Sequence, residues 1–247
     1  MSDFILRGKI SPEKQQALRC ITAGSDWVEE QNFALVHQIV FSMSSKALEI
    51  ELIENPNAIY QEDVQGRTAL NWAAARGQQE YVRILLSHGA DPNSMDITGR
   101  TVLHQAADSC SAEVTRLVLE AGGNPNPVLP VGTLRSTPLY SAVRNCKSTL
   151  IVKHFLDFNA DVNGCGPEGI TPLHDVARSL GPHLALLLLE YKADLNATTR
   201  DGKTPITMAI MYNNHEVLKL LLDHWYQYTL CPRLRGLWAL PCLEDRR

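Results

Sequence analysis

The chain has 247 residues, 45% hydrophobic and 20% charged, which supplies enough apolar mass for a sizeable core and excludes wholesale disorder. Its formal net charge of −4 runs against the basic balance of a nucleic-acid binder. The cysteines at 20, 110, 146, 165, 231 and 242 contain no CxxC pair, so local spacing builds no compact zinc site. The start, "MSDFILRGKI", has three apolar residues together before an arginine, and the longest apolar run is "LALLLL" at 184–189. Neither a secretory leader nor a membrane span is expected, and the setting read is cytoplasmic or nuclear.

In chain order, residues 1–30 hold "SPEKQQALRCITAG", readable as a helix capped from Ser11 and expected to cover the apolar face of the adjoining segment, 31–62. That segment carries "FALVHQIVFSMSSKALEIELIENPNAI", a worn copy of a phrase that is clear from residue 63 onward. There, "DVQGRTALNWAAARGQQEYVRILLSHGADPNSMD" lies over "DITGRTVLHQAADSCSAEVTRLVLEAGGNPNP" at an offset of 33. Asp63 falls on Asp96, Gly66 on Gly99, Thr68 on Thr101, Leu70 on Leu103 and Asn93 on Asn126. Three more copies carry Thr137, Thr171 and Thr204, at steps of 36, 34 and 33, with the drift confined to "NPNPVLPVGTLRS". His37 of the worn copy occupies the slot of His104 and His174. The units read as 63–95, 96–131, 132–165, 166–198 and 199–225, succeeded by a tail, 226–247. That tail contains "TLCPRLRGLWALPCLEDRR" and is expected to be weakly ordered, a further unit cut short by truncation or a gene-model error. A fixed period near 33 is the signature of a stacked solenoid.

Each unit reads as loop, short helix, tight turn, longer helix, loop. Thr171 can cap the first helix and Pro172 fits its first turn, and Thr137-Pro138 and Thr204-Pro205 repeat the device. Alanines at 73, 74, 106, 107, 142, 177 and 209 let neighbouring inner helices approach closely. The outer helices offer Val82, Leu85 and Leu86, then Leu117, Val118 and Leu119, and finally Val217, Leu220 and Leu221 for burial. Gly89, Gly122 and Gly123 suit positive φ at helix ends; Asn159 tolerates it, and Lys192 would be mildly strained.

Thr-Pro-Leu-His at 171–174 and Gly-Ala-Asp-Pro-Asn at 89–93, at this spacing, resemble the ankyrin repeat family over about residues 31–225. The flanking wording resembles ankyrin proteins of filamentous fungi. The resemblance implies an all-α solenoid of helix–turn–helix units joined by β-hairpin-like loops. It also implies a non-catalytic protein-interaction scaffold that uses a concave groove. In that family the histidine bonds the threonine of its own box and backbone of the adjoining loop, which would pair Thr101 with His104 and Thr171 with His174. Asparagines at 93, 126, 163 and 196 would bridge neighbouring loops. His174 beside Asp175 could suggest a general base with its carboxylate, but the recurrence of the same slot down the chain points to structure. His104 and Asp108 stand four apart without a third ligand, so no metal is expected, nor any cofactor or small-molecule substrate. Asp91, Asp161 and Asp194 are expected to bond locally in their turns.

On the positions matching the family's contact surface stand Gln65, Arg67 and Arg76, then Thr98, Arg100 and Asp108. Leu134, Ser136, Arg144 and Asn145 come next, then Glu168, Ile170 and Arg178, and last Arg200, Lys203 and Tyr212. Arg67, Arg76, Arg100, Arg144, Arg178, Arg200 and Lys203 would form a basic stripe that draws an acidic segment of a partner. The alternative is a ubiquitin-ligase adaptor acting through "LCPRLRGLWALPCL", which has a Leu-Cys and Pro-rich likeness to the short boxes that succeed some ankyrin arrays. A monomer is expected.

Overall fold

The computed structural model describes residues 33–42, 46–127, 136–179 and 181–229. The expected capping helix from Ser11, residue Leu134 and the tail beyond residue 229 lie outside them. Twelve α-helices are described: α1 (Leu35–Val40), α2 (Leu48–Glu54), α3 (Ala69–Ala75), α4 (Gln79–Ser87), α5 (Val102–Ser109), α6 (Ala112–Glu120), α7 (Pro138–Cys146), α8 (Thr149–Asp157), α9 (Pro172–Ser179), α10 (Pro182–Glu190), α11 (Pro205–Met211) and α12 (His215–Thr229). The chain forms two compact units, dividing between Leu134 and Arg135. In the first, α3 packs on α1 and α5, while α4 packs on α2 and α6. In the second, α9 packs on α7 and α11, while α10 packs on α8 and α12. The first helix of each repeat thus joins an inner row and the second an outer row within each unit, and the fold is all-α.

The threonines start the inner helices. Thr68, Thr101, Thr137 and Thr204 are N-cap residues in extended backbone, and the Thr137 and Thr204 hydroxyls accept the N–H of Tyr140 and Thr207 at 3.1 and 3.3 Å. Alanines 73, 74, 106, 107, 142, 177 and 209 are wholly buried, so a larger side chain would force neighbouring helices apart. On the outer row, Val82, Leu85, Val114, Val118, Leu119, Val217 and Leu221 are buried. Leu86, Leu117 and Leu220, expected beside them, are only half-buried.

Each described outer helix from α4 to α10 ends in the same way. The second residue after the last turn donates its N–H back five positions: Ala90 to Leu85, Gly123 to Val118, Ala160 to Phe155 and Ala193 to Leu188, at 2.9–3.0 Å. The residue before each donor has positive φ: Gly89 (88°), Gly122 (91°), Asn159 (61°) and Lys192 (65°). Gly123 does not share this conformation, contrary to expectation. It stands in the donor's slot, where alanine serves elsewhere, and a Cβ on it would lie 2.8 Å from the Val118 carbonyl oxygen.

The loops between repeats close as tight hairpins without any strand among the described residues. Asp63, Asp96, Gly166 and Thr199 each donate N–H to the carbonyl four residues on, at 2.8–3.0 Å. Asp63 and Asp96 also fold their carboxylates inward: Asp63 Oδ1 accepts the N–H of Gln65 and Arg67, and Asp96 Oδ1 those of Thr98 and Arg100, all at 2.8–3.0 Å. Neighbouring hairpin tips join by one backbone bond, Ile97 to Gln65 and Arg200 to Glu168, both 2.9 Å.

Candidate functional site

The histidine slot is occupied structurally. Thr171 donates its N–H to His174 Nδ1 at 3.2 Å, and its hydroxyl lies 2.8 Å from the same nitrogen. With Nδ1 accepting, the proton sits on Nε2, which donates to the carbonyl of Lys203 at 2.9 Å. Burial pushes the His174 pKa down, against the pull of the Lys203 and Ala197 carbonyls and the Asp175 charge. Thr101 and His104 repeat the pairing at 3.0 Å, and His37 reaches the carbonyl of Arg67 at 3.1 Å. Asn93 bridges loops by donating to Gly122 O at 3.2 Å and accepting from Asn124 N–H at 2.7 Å, while Asn163 accepts from Asp194 N–H at 2.8 Å. Asp91, Asp161 and Asp194 each accept the N–H two residues on, at 2.8–2.9 Å.

The surface residues divide sharply by what they touch. Arg67 is 9% exposed, with Nε 3.3 Å from Asp96 Oδ2 and its guanidinium 4.9 Å from the centre of the Trp72 ring, so it belongs to the interior. Arg100 pairs with Asp108, Arg200 with Glu168 at 3.1 Å, and Lys203 with Asp201 at 3.7 Å. Four of the seven cations of the expected stripe are therefore met by carboxylates of the protein itself, two of which, Asp108 and Glu168, were themselves expected to meet a partner. Gln65, Ser136 and Ile170 are half-buried, and Thr98 and Asn145 are exposed.

Arg76, Arg144 and Arg178 are exposed and make no ion pair among the described residues. Arg76 lies over the Phe41 ring at 5.0 Å and Arg178 over Tyr212 at 5.2 Å, aromatic faces that fix the guanidinium without neutralising it. In the second unit Arg144 and Arg178 line one pocket of about 230 Å³ together with Lys147, Asp175 and Ser179. Lys147, like the arginines, forms no ion pair among the described residues, and it caps α7 at a φ of 54°. Asp175 is 7% exposed, and its Oδ2 has no hydrogen-bond partner. Beside it, Tyr140 has its phenol pKa raised, first by burial and then by the Asp175 charge, while Arg144 Nη1 approaches its hydroxyl at 3.4 Å. Exposed Lys147 and Ser179 and buried Asp175 were not expected at this site, and the fold brings all three to one pocket. The signal was a spacing of three that brings charged residues together in successive repeats, Arg144 with Lys147 and Asp175 with Arg178.

The family model described as ankyrin repeats, in three copies, matches residues 33–128 and 139–230. The chain is 32% identical over 224 residues to the ankyrin repeat and SOCS box protein 6 of Homo sapiens, an alignment covering 81% of this chain and 45% of that protein. It is 42% identical over 73 residues to the ankyrin repeat and SOCS box protein 9 of Homo sapiens, covering 29% and 24% of the two chains. To the BTB/POZ domain and ankyrin repeat-containing protein NPR5 of Oryza sativa subsp. japonica it is 46% identical over 70 residues, covering 28% and 14%. The chain spans less than half the length of each of these relatives.

Proposed function

The chain belongs to the ankyrin repeat family, and from that premise we propose that it is a non-catalytic scaffold whose units, each taken by itself, bind acidic segments of another protein on their inner helices. One observation carries the reading. The repeat's own polar residues are hydrogen-bonded within the fold, whereas Arg76, Arg144 and Arg178 stand exposed and unpaired at the ends of inner helices. Cations kept on aromatic faces or beside a pocket, in a protein of net charge −4, favour an anionic partner over self-association. The test is affinity capture from native cells with wild type and an Arg76→Glu/Arg144→Glu/Arg178→Glu variant. The three positions are exposed, so the variant is expected to keep its fold by circular dichroism while losing the acidic partner. An unchanged partner list from a folded variant would refute the reading.

A second reading is favoured by a specific observation. Two of the relatives are named for a SOCS box as well as ankyrin repeats, and the segment "LCPRLRGLWALPCL" lies after the repeats here. On this reading the chain recruits a substrate to a ubiquitin ligase through its C-terminal segment. Co-purification of ligase subunits that is lost on deleting residues 229–247 would support it, and co-purification unaffected by that deletion would exclude it.

A further inference from the structure

We propose that the pocket walled by Arg144, Lys147 and Arg178 is a phosphoryl-binding anchor that takes a phosphoserine or phosphothreonine of the partner segment. The inference deepens the scaffold reading and rests on it. Its first support is charge. Two guanidinium groups and one ammonium group share the pocket with a single carboxylate, Asp175, and none of the three cations is paired among the described residues. The local surplus is two positive charges. A carboxylate side chain would neutralise one of them, whereas a phosphorylated side chain carries a charge of about −1.5 to −2 at neutral pH.

Size and shape give the second support. At about 230 Å³ the pocket is smaller than the roughly 300–1,000 Å³ of a small-molecule site, and so is scaled to one side-chain group. Two guanidinium forks can each take two oxygens of a tetrahedral group, a geometry in which Lys147 adds a point charge. Both forks are braced before any ligand arrives, Arg178 by the Tyr212 ring and Arg144 by the Tyr140 hydroxyl, so less freedom is lost on binding. Asp175 is held buried in the wall and offsets one of the three positive charges.

The experiment is an NMR titration of the full chain, tracking amide shifts, with the peptide Gly-Gly-pSer-Gly-Gly, its Ser and Glu counterparts, and inorganic phosphate. The expected result is saturable shifts at residues 144–147 and 175–179 with the phosphopeptide. Its binding should be about tenfold tighter than that of the Glu peptide, with none for the Ser peptide. Arg144→Gln and Arg178→Gln, both at exposed positions, should each weaken it about tenfold. Equal binding of the Glu peptide, shifts confined to other residues, or indifference to both variants would overturn the proposal. Inorganic phosphate binding as tightly as the phosphopeptide would also overturn it, by showing an ion site with no use for the peptide. Failure here is distinguishable from failure of the scaffold reading, because a captured acidic partner could persist in Arg144→Gln and Arg178→Gln through contacts elsewhere.

Discussion

His174 holds its loop through both ring nitrogens, and the bond at Nδ1 requires the neutral ring. Nδ1 accepts from the N–H of Thr171, so a proton there would set donor against donor, while Nε2 donates to Lys203 O. Burial holds its pKa below the ordinary histidine value against the pull of the Lys203 carbonyl, and His37 behaves alike against the Arg67 carbonyl. The linkage has a definite sign. With the folded pKa below the unfolded value of about 6.5, the unfolded chain binds more protons in the interval between them. The stabilisation is full above about pH 6.5 and declines as pH falls through the folded value. Urea midpoints at pH 7.5 and 5.5 should therefore differ more for wild type than for His174→Gln. At pH 7.5 the variant should already be less stable by about 1–3 kcal/mol, from the loop groups left unpaired. A pH response identical in both proteins would show that His174 is not the titrating group.

At the scale of the hairpin, one slot is filled in three chemical ways. Asp63 and Asp96 tie their turns with carboxylates, Thr199 does so with a hydroxyl that accepts Lys203 N–H at 3.2 Å, and Gly166 offers no side chain. A Cβ at Gly166 would run into the ring of Tyr140, which fills the space that the carboxylate takes elsewhere. Each carboxylate also uses its other oxygen: Asp63 Oδ2 accepts the Trp72 indole N–H at 2.8 Å, and Asp96 Oδ2 meets the buried Arg67 of the preceding hairpin at 3.3 Å. Asp96→Ala would leave that guanidinium uncompensated in the interior and should cost about 3 kcal/mol in denaturant unfolding. Asp201→Ala, which removes the exposed partner of Lys203, should stay within about 0.5 kcal/mol of wild type. Similar losses for the two would mean that the Arg67 pair is not special. The slots themselves were legible in the sequence, because threonine caps, inner alanines and outer leucines recur at a fixed step. Occupancy was less so. Which cations are neutralised depends on partners 29 residues away for Arg67, 8 for Arg100 and 32 for Arg200, and a side chain's reach across such intervals is set by the folded stack. Gly123 was misread because glycine's usual role at a helix end belongs here to its neighbour, Gly122.

For the molecule as a whole, stability accumulates between neighbours, since an inner helix in either unit packs on the inner helices beside it and on its own outer helix. No described helix is long and apolar enough to cross a membrane. Such an array should respond to damage locally. Leu85 is wholly buried on α4, and Leu85→Ala should cost about 2–5 kcal/mol, with a smaller loss for Leu86→Ala next to it. Hydrogen exchange can show where that loss is felt. Amides of α3, α4, α5 and α6 should lose protection first in Leu85→Ala, while those of α8, α9 and α10 keep most of theirs, because opening in a nearest-neighbour array is confined to the units around the lesion. A uniform acceleration from α1 to α12 would instead mean that the two compact units unfold as one cooperative body.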